Sequence, residues 1–418
     1  MDNITIRPDS LKGSVKVPPS KSVAHRAIIG AALSKGKCVI DNVAMNGDIV
    51  ATLGGIRALG ADYTYDEKKK RITVFPGEES GGKTIIDCGE SGSTIRFLMP
   101  IALLSGKENT FICHGRLIER PMEPYIDNFE KFGIEYKTLK TRIKTKGMLK
   151  SGTYTIPGDV SSQFITGLLY ALPLLDGDSE IVITKTPEST GYIDLTLDVL
   201  SAFGIEIENQ NYLKYKIKGG QTYKPVDLTV EADYSQAAFF LVAGALGCDV
   251  ECTGLKKDSR QGDREIIDII ERAGGKILET KKGIKAWRTQ NMHGIDLDGR
   301  NVPDLIPVVT VMLAFCRGES NIYNIGRLRI KESDRLSAIC EELKKLGVNI
   351  EEGADYIKLV GSETIRCETV SARNDHRIAM SLAIAACRAE GEEFVIEGGK
   401  SAVKKSYPDF FEVYEKLK

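Results

Sequence analysis

The chain shows no charge excess of either sign. Lys and Arg number 57 and Asp and Glu 58 among 418 residues, a formal net charge of −1. A protein that wraps nucleic acid would need a basic surplus, so that class is not expected, although a local basic cleft stays open. Long hydrophobic runs are also missing. The longest near-apolar stretch, Ala237 to Cys248, falls short of the roughly 20 residues a membrane helix needs. The nine cysteines show neither C-x2-C metal spacing nor a disulfide framework, which suits reduced thiols. The first residues hold Asp2, Asp9 and two lysines among alternating apolar residues, which fits no signal or transit peptide. A cytoplasmic protein without membrane or nucleic-acid partners is expected. An apolar content of 42% and a charged content of 28% are ordinary for a globular chain with two or three domains and ample core.

What the chain does have is an internal repeat. A polar cluster, a helix of small and apolar residues, a turn and an alternating strand recur together. The clusters fall at Lys21-Ser22, Gly92-Ser93, Ser161-Ser162, Tyr234-Ser235, Asp304 and Asp375-His376, at intervals of 70 to 72 residues. A second helix in each unit ends at a glycine; in Arg335–Leu346 the residues Leu336, Ile339, Cys340, Leu343 and Leu346 share one face, and Gly347 suits a left-handed cap. Each unit therefore reads βαβαββ. The sixth lacks its second half, which the N-terminal strands around Ile4–Ile6 could complete. Six such units exceed one core, so the expectation is an α/β protein of two domains with three units each. The boundaries fall at 1–19 with 232–418, and at 20–231.

The clusters all open a first helix. A helix N-terminus carries free N–H groups and partial positive charge, which favours anions. At Pro18-Pro19-Ser20-Lys21-Ser22, Ser20 or Ser22 can cap a helix, and Lys21, Ser22 and Arg26 gather at its start; a capped surface helix with solvated charges is the competing reading. Further along come Ser93, Thr94, Arg96, Ser161, Ser162, Gln163, Arg116, Arg120, Lys331, Arg335, Arg377, Lys404 and Lys405. Gly92 leaves room for a ligand against backbone. This much Arg and Lys beside Ser and Gly suits a small ligand with several phosphates or carboxylates. Two acids stand among the cations. Asp304 and Glu332 could serve as base and acid in a proton-coupled addition or elimination; an N-cap for Asp304 and an ion pair for Glu332 are the alternatives.

Seven motifs in this order carry a resemblance: Ser20-Lys21-Ser22-x-x-x-Arg26, Gly92-Ser93-Thr94-x-Arg96, Arg116-x-x-x-Arg120-Pro121-Met122, Ser161-Ser162-Gln163, Lys331-Glu332-Ser333-Asp334-Arg335, Asp375-His376-Arg377 and Lys405-x-x-Pro408. Together they resemble the 5-enolpyruvylshikimate-3-phosphate synthase family (3-phosphoshikimate 1-carboxyvinyltransferases) over nearly the whole chain. The resemblance implies an inside-out α/β barrel architecture, three βαβαββ units about a pseudo-threefold axis in each domain. It implies enolpyruvyl transfer from phosphoenolpyruvate to shikimate 3-phosphate on the way to chorismate and aromatic amino acids. No metal or organic cofactor is implied, and a monomer is expected.

The implied roles follow residue by residue. Ser161, Ser162 and Ser189 would hold the shikimate phosphate, with Lys21, Ser22, Arg26, Gln163 and Tyr192 on the rest of that substrate. Lys21, Gly92, Arg116, Gln163, Arg335, Arg377 and Lys405 would hold phosphoenolpyruvate. Asp304 would be the base on the 5-hydroxyl, helped by Lys331, and Glu332 would move the proton at the methylene carbon. His376, Arg96 and Arg120 would be supporting. The sequence departs from the family pattern at Glu90, often Asn, and at Arg327, also often Asn; Glu90 bears on phosphoenolpyruvate affinity and glyphosate sensitivity. Two rivals remain. One is the transferase acting on UDP-N-acetylglucosamine, which bears a reactive Cys in the loop matching Gly115–Arg120; here Cys113 precedes that loop and reads as a buried thiol. The other is a non-catalytic phosphometabolite-binding module, whose sign would be loss of Asp304 or Glu332.

Overall fold

The computed structural model describes residues 2–77 and 82–418. The chain forms two compact domains, a discontinuous one from Met1–Pro18 with Ala232–Lys418 and an inserted one from Pro19–Glu231. Helices come in pairs. The inserted domain holds α1 (Lys21–Leu33) and α2 (Gly47–Ala58), α3 (Gly92–Ala102) and α4 (Glu123–Phe132), and α5 (Ser162–Ala171) and α6 (Thr190–Ala202). The discontinuous domain holds α7 (Tyr234–Ala245) and α8 (Ile266–Arg272), α9 (Ile306–Leu313) and α10 (Arg335–Lys345), then α11 (His376–Ala385) with two short helices, α12 (Gly399–Val403) and α13 (Phe410–Glu415).

The second repeat shows the plan. Its leading strand Thr84–Asp87 runs parallel to Glu108–Ile112, which pairs antiparallel with Arg142–Lys146, itself antiparallel to Glu135–Leu139. The third and fifth repeats have the same strand order. The first and fourth do not draw their leading strands from their own stretch of sequence. Repeat four uses Lys12–Lys16, parallel to Asp249–Thr253, and repeat one uses Leu228–Thr229, parallel to Cys38–Asp41. Ile4–Ile6 pairs antiparallel with Phe394–Glu397 and so completes repeat six. Of the two N-terminal strands, then, only the first closes the sixth unit. The ladder of Lys12–Lys16 ends before Pro18-Pro19, which lack N–H groups and fix φ. Val17 N still donates to Thr253 O at 3.1 Å, whereas Ser20 N donates to Glu231 O at 2.7 Å.

The core is built on the first helix of each repeat. Every residue of α7, α9 and α11 is buried, as expected for helices apolar all round. Second helices bury one face only, as α10 does with Leu336, Ile339, Cys340 and Leu343. Each large buried side chain contributes about 1.5–3 kcal/mol. After α10, Gly347 takes the expected positive φ, +92°. No helix among the described residues is long and apolar enough to cross a membrane.

Side-chain caps fix where the first helices begin. Ser20, Ser91, Ser161, Asp233 and Asp375 accept from N–H groups of α1, α3, α5, α7 and α11. The first helix α9 has Leu305 at its cap position and no side-chain cap bond. Asp304 stands one residue ahead of that position, and its carboxylate is used elsewhere.

Candidate active site

In the discontinuous domain the geometry centres on Arg335, whose side chain is 2% exposed. Its Nη1 donates to Asp304 Oδ1 at 2.8 Å, its Nη2 to Glu332 Oε2 at 2.7 Å and its Nε to Asp375 Oδ2 at 2.8 Å. Asp375 also accepts from Ser333 Oγ at 3.0 Å and, through its other oxygen, from the Arg377 N–H at 2.9 Å. Arg377 returns to Asp304, Nη1 to the backbone oxygen at 2.9 Å and Nη2 to Oδ2 at 3.4 Å. The cap of α11, the loop before α9 and the first residue of α10 are thus tied into one charged node.

Burial alone would raise the Asp304 carboxyl, but Arg377, Lys331 and Arg335 overrule it and hold it well below the usual carboxylate range. Lys331 is driven the other way. Burial, aided by Arg327 and Arg335, pushes its amine down to about 7 despite the attraction of Asp304. Asp304 is therefore held ionised while the Lys331 amine that acts on it is pushed towards its neutral form, two groups between which the proton of a hydroxyl can be shared. The ion-pair alternative for Glu332 is present, in its bond to Arg335; the N-cap alternative for Asp304 is not. His376 is buried with Nδ1 3.9 Å from Asp375 Oδ1. Lys405 Nζ donates to Asn374 O at 3.2 Å. Arg327, where the family often has Asn, sends Nη2 to the Arg300 carbonyl.

In the inserted domain, Ser20 caps α1, so the helix opens at Lys21. Lys21 Nζ meets Asp48 Oδ2 at 2.8 Å. Arg26 is buried beneath it. Its Nε donates to Thr196 Oγ1 at 2.8 Å, Nη1 to Ser22 O at 2.8 Å and Nη2 to Tyr192 O at 2.9 Å. Burial lowers this guanidinium to about 10. Arg26 thereby locks the start of α1 to the start of α6, just after Ser189. That serine holds φ +56° and ψ 41°, a left-handed conformation that costs a non-glycine residue of order 1 kcal/mol and is kept where surroundings impose it.

A second string joins α3 and α5. Arg96 Nη1 donates to Gln163 Oε1 at 2.8 Å, and Gln163 Nε2 to Ser93 Oγ at 3.0 Å. Gln163 N donates to Ser161 Oγ at 3.3 Å, while Ser162 is buried at the first turn. A third string runs His25 Nδ1 to Thr52 Oγ1, Thr52 to Thr94 Oγ1, both at 2.7 Å, and Thr94 to Ser91 Oγ at 2.8 Å. Burial, then Lys21 and Arg26, hold the His25 ring well below its ordinary value, so it is neutral. Arg116 is exposed in the 3-10 turn Gly115–Glu119, with Nε 3.3 Å from Glu119 Oε2.

Two glycines bring side chains close to the backbone, and Gly115 also holds φ +53°. A Cβ on Gly92 would lie 2.9 Å from Arg120 Nη1, and one on Gly115 2.7 Å from the Glu90 carboxyl. Glu90 therefore lies against the backbone that leads into Arg116. Cys113 is buried, and burial pushes its thiol up to about 12, the opposite of a reactive thiolate.

Sequence reasoning assigned no role to Asp48, Thr52, Asp263 or Asp375. The available signal was spacing: Lys21–Asp48 and His25–Thr52 both lie 27 residues apart, matching successive turns of α1 to successive turns of α2.

The fold is that of the enolpyruvyl transferases. It superposes on an EPSP synthase from Acinetobacter baumannii with TM-score 0.81, at 24% identity over 99% of this chain and 98% of that one. An enolpyruvyl transferase from Streptomyces tendae gives TM-score 0.79, at 19% identity over 99% and 96%. The family model described as EPSP synthase (3-phosphoshikimate 1-carboxyvinyltransferase) matches residues 6–414. Among curated relatives, a 3-phosphoshikimate 1-carboxyvinyltransferase of Clostridium perfringens is 46% identical over 100% of this chain and 98% of its own. One of Clostridium acetobutylicum is 44% identical over 100% and 97%. The chain belongs to the EPSP synthase family.

Proposed function

We propose that the protein transfers the enolpyruvyl group of phosphoenolpyruvate to the 5-hydroxyl of shikimate 3-phosphate. Family membership supports the reaction, and one observation carries the chemistry: Arg335 holds Asp304 at 2.8 Å and Glu332 at 2.7 Å, with Arg377 3.4 Å from the same aspartate, so two acids are gathered on one buried cation. In the addition step, Asp304 with Lys331 takes the hydroxyl proton as the oxygen bonds to carbon 2 of phosphoenolpyruvate. Glu332 delivers a proton to the methylene carbon, giving a tetrahedral intermediate. In the elimination step that carbon returns its proton to Glu332, the bond from carbon 2 to the phosphate oxygen breaks, and phosphate leaves with the proton first taken from the hydroxyl.

Ser161, Ser162 and Ser189 are assigned to the shikimate phosphate, and Ser22, Gln163 and Tyr192 to the rest of that substrate. Arg26, with all three nitrogens given to protein groups, is assigned to shaping that subsite. Lys21, Gly92, Arg116, Gln163, Arg335, Arg377 and Lys405 are assigned to phosphoenolpyruvate. Cations aimed at both substrates offset the repulsion of two anions brought together. The test is phosphate release by purified protein. It is expected with phosphoenolpyruvate plus shikimate 3-phosphate and absent with either alone; activity with UDP-N-acetylglucosamine in place of shikimate 3-phosphate rejects the assignment.

A further inference from the structure

The loop that leads into α11 is strained. Arg373 and Asn374 hold φ +51° and +53° in succession. Asn tolerates the left-handed region, but a long side chain there costs of order 1 kcal/mol and stays only where other contacts impose it. A glycine at 373 would escape that cost.

The imposing contacts come from α10. Arg373 Nε and Nη2 each lie 2.7 Å from Glu342 Oε1, and Nη2 lies 2.6 Å from Glu341 Oε2. Glu342 Oε2 accepts from the Ser371 N–H at 2.9 Å and from Lys345 Nζ at 2.7 Å. The two carboxylates differ in weight. Glu341 is 48% exposed, and an ion pair there contributes about 0–1 kcal/mol. Glu342 is fully buried, so its charge depends on the partners that meet it. Arg373 is therefore held mainly by Glu342.

Glu342 stands about two turns along α10 from Arg335, and both are buried. The loop is thus fastened to one helix at both ends. Glu342 holds Ser371 and Arg373, and Arg335 holds Asp375 Oδ2 at 2.8 Å. Between the fastenings the Asn374 carbonyl accepts from Lys405 Nζ at 3.2 Å, and at their end Asp375 Oδ1 accepts from the Arg377 N–H at 2.9 Å. Arg335, Arg377 and Lys405, three cations assigned above to phosphoenolpyruvate, each bond to this short loop.

We infer that Arg373 and Glu342 are a positioning pair: by holding the left-handed turn against α10 they set Arg335, Arg377 and Lys405 for phosphoenolpyruvate. The inference rests on the assignment of those cations to that substrate. Neither member of the pair has to touch the ligand. Without the pair the turn relaxes, and the Asn374 carbonyl and the Asp375 carboxylate shift together. Loss of Arg373 leaves Glu342 its bonds to Lys345 and the Ser371 N–H, so the fold is retained.

The experiment measures phosphate release by the full chain for wild type, Arg373→Gly and Arg373→Lys, varying each substrate against a saturating level of the other, with Tm alongside. Glycine meets the left-handed φ without strain but does nothing to hold it. Arg373→Gly is expected to raise KM for phosphoenolpyruvate roughly tenfold and to leave KM for shikimate 3-phosphate within about twofold. Arg373→Lys keeps a charge in reach of Glu342 and falls between wild type and Arg373→Gly. A mere turn residue, or an ion pair that only stabilises, predicts a shifted Tm with KM for phosphoenolpyruvate unmoved in both variants, and that result overturns the inference. An equal rise in both KM values also overturns it, since that marks general loosening. If Arg373→Gly does not fold, Arg373→Lys decides alone: a raised KM for phosphoenolpyruvate supports the pair, and an unchanged one overturns it. These failures leave the functional reading intact, whereas no phosphate release from wild type overturns that reading and the inference with it.

Discussion

At the scale of single residues, Arg335 decides most. It is one buried cation shared by three carboxylates, and Asp375 is wholly buried. Removing one partner of such a set leaves uncompensated charge, at a cost of about 3–5 kcal/mol. Arg335→Met is therefore expected to lower Tm by roughly 6–20 °C, at about 2–4 °C per kcal/mol for a domain of this size. The effect has a pH signature. Burial opposes ionisation of Asp375, but Arg335 brings its carboxyl below the ordinary value. A depressed carboxylate contributes stability that is present above its unfolded pKa and lost as pH falls through its folded one. The deficit of the variant should be greatest above about pH 4, the ordinary range for Asp, and shrink below it. Equal Tm deficits at pH 7 and pH 3 would show that the ion set is not the cause. Asp304→Asn and Glu332→Gln preserve shape and remove charge. Each is expected to lower kcat by about 10²–10⁴, the usual worth of a general acid or base, with shikimate 3-phosphate still bound by calorimetry. A kcat within a few-fold of wild type would remove that residue from its role.

At the scale of elements, α3 and α5 meet without room for a methyl group. A Cβ on Gly167 would lie 2.2 Å from Arg96 O and 2.3 Å from the Tyr125 hydroxyl, which itself donates to Arg96 O at 2.6 Å and Phe164 O at 3.0 Å. Ala is the better helix former by up to about 1 kcal/mol, but overpacking costs about 1–3 kcal/mol and moves backbone. Gly167→Ala should thus be destabilised in urea. By displacing α3 at Arg96 it should also loosen the bonds to Gln163 and Ser93 and raise KM for shikimate 3-phosphate several-fold; a stabilised variant with unchanged KM would refute the close contact. This packing was invisible in the sequence, where Gly167 is one small residue in an apolar run. The six helix starts were legible, because polar clusters interrupt apolar stretches at a constant interval. The leading strands of repeats one and four were not. Leu228–Thr229 spans two residues, and Lys12–Lys16 offers one buried side chain, Val15; neither carries a periodic signal, and each pairs with a strand far away in sequence. Likewise, motif residues such as Asp304 and Glu332 could be named from sequence, but not that Arg335 would bind both, since convergence of α9, α10 and α11 is a property of packing.

At the scale of the molecule, each domain holds its own core. One buried apolar cluster runs from Ala24 to Val230, and the other joins Ile6–Val17 to Ala232–Leu417. The chain passes from one to the other at Pro18-Pro19 and again at Glu231-Ala232, where Asp233 N donates to Pro18 O at 2.9 Å and Ser20 N to Glu231 O at 2.7 Å. Pro18 and Ala232 are thus close enough for a short linker to replace the whole insertion, because a loop closing a small gap loses little entropy. Two proteins follow: residues 19–231 alone, and residues 1–18 joined by a few glycines to 232–418. Each buries a full set of first helices and keeps every strand pair described for it, including Leu228–Thr229 in the former and Lys12–Lys16 in the latter. Both are expected to unfold cooperatively with native-like circular dichroism, and neither to release phosphate from phosphoenolpyruvate. Cutting at residue 17 or 227 instead of 19 or 231 would strip a leading strand or the bond that ends it. A 19–227 fragment should therefore melt below 19–231. If 19–231 proves a molten ensemble while the intact chain is folded, the cores are not self-sufficient, and exchange of leading strands is not what makes each domain complete.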